Sequence, residues 1–183
     1  IRRQRQMCIR DRTVTARSGR APVTEQATRI ILKAEHLGTN AQEPSEGPIA
    51  NLIDGNTATF FHTAWSVAIP GPHWLQIRLP EALTEGHWKF WYAPRNNGRQ
   101  KPTDFDILVS TGGSDWTLVK KFTKDEDGLP VTATDAYTSP NLPVTQPFDH
   151  IRMVVNAVNS GEVFFTMSEF RLWHVKVVDP EAE

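Results

Sequence analysis

The feature that most constrains the fold is a series of short runs rich in β-branched and aromatic residues, each closed by Gly, Pro, Asn or Asp. HWLQIRLP (His73 to Pro80), HWKFWYAP (His87 to Pro94), FDILVST (Phe105 to Thr111) and WTLVKKF (Trp116 to Phe122) come first. HIRMVVNAV (His150 to Val158) and EFRLWHVKVV (Glu169 to Val178) close the series. Runs of this length, separated by turn residues, predict strands of an all-β sandwich or barrel. The alternation slips in HWLQIRLP, where Trp74, Ile77 and Leu79 form the apolar set. Trp74, Trp116 and Trp173 lie inside such patterns and are expected in the core. Trp88 and Trp91 are three apart, so in a strand they face opposite sides and one is expected outside.

The remaining segments are less regular. Glu25 to Leu37 suits either a helical turn or an opening strand. Asp125 to Pro147 is polar and carries Pro130, Pro140, Pro143 and Pro147, so it is expected as loop or edge with little to bury. Lys120, Lys121 and Lys124 read as a solvated edge. The economical division is one β-domain over 23–178, a leader over 1–22 and a C-terminal tail over 179–183. The leader opens IRRQRQMCIRDR, whose arginines show no apolar periodicity and whose QRQMCIRDR resembles a translated sequencing adapter. It is read as foreign to the fold.

Charge and cysteine usage narrow the function. A net charge of −1 gives no basic footprint for nucleic acid. No apolar run reaches the ~20 residues of a membrane span. Cys8 is the single cysteine, which excludes an internal disulfide. No apolar signal-peptide core follows Arg2 and Arg3.

Chemistry concentrates in IANLIDGNTATFFHTAW (Ile49 to Trp65). Asp54 offers a carboxylate, Asn56 a carbonyl and Thr59 a hydroxyl and a main-chain oxygen, while Gly55 lets the loop fold back. Such hard oxygens suit calcium, although Asp-Gly-Asn is also an ordinary turn sequence. His62 and Trp65 follow, three residues apart. A general base would need a partner and a pocket, and no nucleophile elbow, zinc-ligand pair or paired carboxylates accompany the histidine. Trp65 lies beside Pro70, Gly71 and Pro72 and is the tryptophan best placed for a ligand.

LIDGNTATFFHTAW, PHWLQIRLP, WYAPR, FDILVSTGGSDWTLV, FDHIRMVV and SEFRLW occur in that order. Together they resemble the discoidin, or coagulation-factor type C, domain, and most of all its bacterial branch, the family 32 carbohydrate-binding modules. The resemblance covers about Ala34 to Val175. It implies a jelly-roll β-sandwich, in agreement with the strand reading. It also implies a structural Ca2+ held by Asn51, Asp54, Asn56, Thr59, Ser168 and Glu169. The sugar site it implies has His62 reading hydroxyls, Trp65 packing on the sugar ring and Arg95 joining them. Glu43 or Glu46 would supply an acid, and Phe164 an aromatic wall, with one of Phe164 and Phe165 facing the core.

The function implied is non-catalytic binding of a galactose-type or amino-sugar terminus of a glycan. The parent would be a larger bacterial glycan-degrading enzyme or adhesin, secreted or held at the cell surface or in the periplasm. The rival readings are a protein- or lipid-binding adhesion domain and a spacer without a ligand site. Obvious exposed apolar spikes and the terminal disulfide of many animal members are missing.

Overall fold

The structure, a computed structural model, describes residues 24–178. The leader over 1–22, the tail over 179–183 and Val23 of the expected domain lie outside those residues. Among the described residues twelve strands form two five-stranded antiparallel sheets and one two-stranded pair. The first sheet holds β1 (Thr24–Ile30), β12 (Glu169–Val178), β5 (His87–Ala93) and β8 (Tyr137–Thr138) in that order, with β9 (Leu142–Pro143) also paired to β5. The second runs β2 (Leu37–Thr39), β4 (His73–Leu83), β10 (Phe148–Val158), β6 (Pro102–Ser110) and β7 (Thr117–Thr123). The small pair is β3 (Phe61–His62) with β11 (Thr166–Met167). This is the β-sandwich that the strand pattern allows and the jelly roll that the resemblance implies.

Inward side chains of both sheets fill the core at strand period. Leu75, Ile77 and Leu79 of β4 face Trp88, Phe90 and Tyr92 of β5, with Ile107, Ile151, Met153 and Leu172 around them. Phe90 of the first sheet meets Phe122 of the second at 5.4 Å between centroids, and Phe105 stacks on Phe122 at 5.1 Å. Offset and edge-to-face packing of this kind adds to simple burial. Pro80, which has no amide hydrogen, lies in β4 where the β4–β10 register shifts between Phe148 and His150.

Three expectations need correction. Trp74, Trp116 and Trp173 are only partly buried, whereas Trp88 is fully enclosed. In β4 the true inward set is His73, Leu75, Ile77 and Leu79, which turns Trp74 outward. There Trp74 and Trp116 clamp the Arg152 guanidinium at 4.3 and 3.9 Å, so the arginine covers aromatic faces that a core would otherwise have to cover. Trp91 is the half-exposed member of its pair, as expected.

The 125–147 excursion does bury side chains. Leu129, Tyr137 and Leu142 are 3, 8 and 3 % exposed, and Tyr137 packs on Tyr92 at 5.6 Å. Burial, aided by Asp127, pushes the Tyr137 hydroxyl up to about 12. Two short strands on the β5 edge and one helical turn, α1 (Lys124–Asp127), give the excursion its form. The Thr123 hydroxyl caps that turn by accepting from the Glu126 amide. The opening segment proves to be strand β1 followed by a single 3-10 turn, Ala34–His36. The lysines behave as read: β7 is an edge strand, with Lys120 paired to Asp127 and Lys121 to Asp104.

Candidate functional site

His62 is positioned by three neighbouring strips of backbone. Its amide donates to Gly47 O at 3.0 Å, its carbonyl accepts from Glu43 N at 3.2 Å, and it pairs with Thr166 across the β3–β11 ladder. Gly47 has φ 60°, and a Cβ there would lie 2.7 Å from the His62 amide, so only glycine allows the 41–47 strip to come this close. The imidazole is 2 % exposed, and its Nδ1 donates to Thr63 O at 2.6 Å. That bond leaves Nε2 as the acceptor. Burial pushes the His62 pKa below its ordinary value, and Arg95 adds to the effect against the opposing pull of Thr63 O, Glu46 and Glu43.

Aromatic rings surround the imidazole. Phe164, Trp65 and Phe60 lie 5.7, 6.4 and 6.4 Å from it between centroids. Trp65 is 50 % exposed and presents a broad apolar surface. Phe165 is fully buried while Phe164 stays half-exposed, the division expected for adjacent residues with opposite directions.

The two candidate acids do different jobs. Glu43 is 2 % exposed and accepts from Ser45 N, Ser45 Oγ, Ser66 Oγ, Ser66 N and Trp65 N. Burial would raise its pKa, but the Ser45, Ser66 and Trp65 donors outweigh it and hold the carboxyl well below the usual range. Glu43 therefore fixes the Trp65–Ser66 turn and has no free oxygen for a ligand. Glu46 remains partly exposed beside Trp65, whose Nε1 donates to Oε1 at 3.0 Å.

Arg95 comes from the loop after β5. Its guanidinium carbon lies 3.5 Å from the centroid of the Phe60 ring, and no hydrogen bond to the guanidinium forms among the described residues. Stacking fixes the plane and leaves the N–H edges free. The loop is held from beneath by Lys101, fully buried, whose Nζ donates to Arg95 O. Burial, with Arg95 nearby, pushes the Lys101 pKa down. The neighbouring loop is tied on by Gln100 N to Ser160 Oγ at 2.9 Å, Asn159 Nδ2 to Gly98 O at 2.9 Å and an Arg99–Glu162 pair at 2.6 Å. Sequence reasoning missed Lys101. Its one visible signal is a lysine at the head of an otherwise inward-alternating strand pattern.

On the other side of the stretch, Asp54, Gly55 and Glu169 come together. Gly55 N donates to Glu169 Oε1 at 2.6 Å across the fold. Thr59 Oγ1 donates to Asp54 Oδ2 at 2.6 Å, and Asn56 N donates to Asp54 Oδ1 at 2.8 Å. The Thr59 hydroxyl, more than the Asn56 amide or Glu169, holds the Asp54 carboxyl below its usual range against the effect of burial. Glu169 is fully buried, yet Oε2 makes no hydrogen bond; Arg171 Nε approaches it only to 3.5 Å. Asn56 Oδ1 accepts from Ala58 N, and Asn51 Nδ2 donates to Phe60 O, so both side chains also shape the loop. Ser168 is buried beside Glu169, its amide donating to Ala93 O at 2.8 Å.

Comparison with known proteins fits this architecture. The chain is 28 % identical over 172 residues to a sialidase of Micromonospora viridifaciens, covering 87 % of this chain and 25 % of the relative. It is 30 % identical over 89 residues to an A type blood N-acetyl-α-D-galactosamine deacetylase of Flavonifractor plautii, covering 42 % of this chain and 11 % of the relative. The chain thus spans a quarter or less of the length of these curated relatives. Among solved structures, a family 32 carbohydrate-binding module from Clostridium perfringens, in complex with GalNAc-β-1,3-galactose, aligns with TM-score 0.64 at 17 % identity, covering 79 % of this chain and 99 % of that one. The family 32 module of NanJ from the same organism, in complex with galactose, aligns with TM-score 0.59 at 22 % identity, covering 81 % and 100 %. Residues 36–170 match the F5/8 type C domain model, and the chain belongs to that family, the discoidin domains.

Proposed function

We propose that this domain is a non-catalytic carbohydrate-binding module for galactose-type or amino-sugar termini of glycans. The observation that carries the reading is the convergence of His62, Trp65, Phe164 and Arg95 on one patch, with hydrogen-bonding groups beside exposed aromatic surface. Sugars combine hydroxyls with an apolar C–H face, so they suit such a surface. His62 Nε2 accepts from one hydroxyl, the Arg95 N–H edges donate to neighbouring ones, and Trp65 packs on the ring. Each neutral hydrogen bond contributes about 1 kcal/mol net, so a single site binds weakly and gains by multiplication in a larger protein. The sialidase likeness supports a parent enzyme that degrades glycans, working outside the cell or at its surface.

Calcium is the second part of the proposal. Among the described residues no three of His, Cys, Asp and Glu come together as a metal group. The oxygen set would rest on two carboxylates with amide, hydroxyl and main-chain oxygens, a donor chemistry that suits calcium. The free Oε2 of buried Glu169 beside Asp54 supports the fit. Asn51, Asp54, Asn56, Thr59, Ser168 and Glu169 would hold the ion, which would supply charge balance and a tie between the loop and β12.

A glycan array tests the reading. Signal on galactose-type or amino-sugar termini is expected, with His62→Ala and Arg95→Ala abolishing it at unchanged melting temperature. Binding that survives both changes contradicts the site. A blank array alongside capture by lipid vesicles or matrix protein favours the adhesion reading.

A further inference from the structure

Beyond the patch around His62, the Arg95 side opens into a cleft of about 640 Å³, room enough for a further sugar ring. Thr57, Phe60, Trp91, Arg95, Asn96 and Thr134 line it, with alanines and Pro94 between them. Phe60 and Arg95 are common to the cleft and the patch. Among the described residues no acidic side chain lines it, and Arg95 is its one charged wall.

The electrostatics point the same way. Arg95 makes no ion pair among the described residues, and Lys101 lies directly behind it with its charge on a backbone carbonyl. Of the neighbouring acids, Glu162 is paired with Arg99, Asp54 accepts from Thr59 and Asn56, and Asp135, between the lining residues Thr134 and Ala136, accepts from the Thr132 hydroxyl at 2.6 Å. Across the patch, Glu46 sits at Trp65. Among the described residues the site therefore carries Glu46 at one end and the Arg95 guanidinium at the other, with Lys101 buried behind the Arg95 backbone. Neutral hydroxyls would use the Arg95 N–H groups but leave the guanidinium charge uncompensated. A bidentate anion supplies both the geometry and the charge.

We infer that this cleft is a second subsite, which takes a carboxylate- or sulfate-bearing sugar unit linked to the one held at His62 and Trp65. The inference rests on the carbohydrate reading above. Trp91 and Phe60 supply apolar surface for the second ring, and the Arg95 edge receives its anionic group.

Titration calorimetry on the full chain tests it with three disaccharides. Each has the same galactose terminus; the second unit is neutral, a uronic acid or a sulfate ester. An acidic unit should tighten binding about tenfold at low ionic strength, the gain shrinking as salt is added. The stronger of the two acidic ligands identifies the anion. Thr134→Glu, an exposed change in the cleft wall, should cancel that gain, so that the variant no longer distinguishes the acidic ligands from the neutral one. Equal affinity for all three ligands overturns the subsite while the primary reading stands. An acidic gain that Thr134→Glu does not touch overturns its location. Failure of all three, and of the same three built on an amino-sugar terminus, overturns both readings.

Discussion

Glu43 and Glu169 are buried carboxylates that flank the same stretch of chain, and they are satisfied in opposite ways. Glu43 accepts hydrogen bonds from side chains and amides of Ser45, Ser66 and Trp65. Glu169 accepts one from Gly55 N, leaves Oε2 without a hydrogen bond 3.5 Å from Arg171 Nε, and faces a second carboxylate, Asp54. A buried anion must be compensated by donors or by a cation. The first glutamate is solvated by the protein and sets the shape of the Trp65 turn. The second has a single hydrogen bond and the loose Arg171 contact at 3.5 Å, which is why the calcium proposal attaches to it.

Removing each compensation should therefore have different consequences. Glu43→Ala strips five hydrogen bonds at once and should give the largest fall in melting temperature of the single changes, together with loss of glycan binding. Thermal melts in chelator should show no special sensitivity at that site. A stable Glu43→Ala protein that still binds would dissolve the contrast. Chelator on the unaltered protein is next, with an expected drop on the order of 5–10 °C, and Asp54→Ala should remove the response. Identical melts with and without chelator would place Glu169 on the same footing as Glu43.

Smaller effects refine the binding side. Lys101→Met keeps the buried volume but removes the bond to Arg95 O, so folding should persist while glycan affinity falls roughly threefold to tenfold. Calorimetry reads that change; unaltered affinity would make Lys101 a packing residue only. The pH effect is the mildest. Burial lowers the His62 pKa, so its contribution to stability is present above the ordinary imidazole value and lost as pH falls through the lowered one. Binding should fall in the same direction, because protonation removes the Nε2 acceptor. Titrations from pH 7.5 downwards to the edge of folding check this, and affinity that rises as the pH falls would mean that His62 does not act as an acceptor.

The strand ladder was legible from short apolar runs because turn residues bound each one. The Asp54 loop and the His62–Trp65 spacing were legible because their parts are close in sequence. The orientation of Trp74 was not, since β4 carries apolar residues on both faces and Arg152, distant in sequence, decides which face holds the tryptophan. The buried side chains of the 125–147 excursion were hidden for a similar reason: Tyr137 finds its partners on β5. The distinction between Glu43 and Glu46 needed the Ser66 and Trp65 amides, which only the fold brings to one of them. Lys101 likewise acts through a main-chain oxygen across a loop, a contact that composition does not signal.

The central claim is sugar binding at the His62–Trp65 patch. Calorimetric titration of a galactose-terminated glycan into the unaltered chain and into His62→Ala, after both are shown to melt alike, tests it most directly. The account predicts saturable heat from the first and none from the second. No heat from the unaltered chain, or equal heat from both, would contradict it.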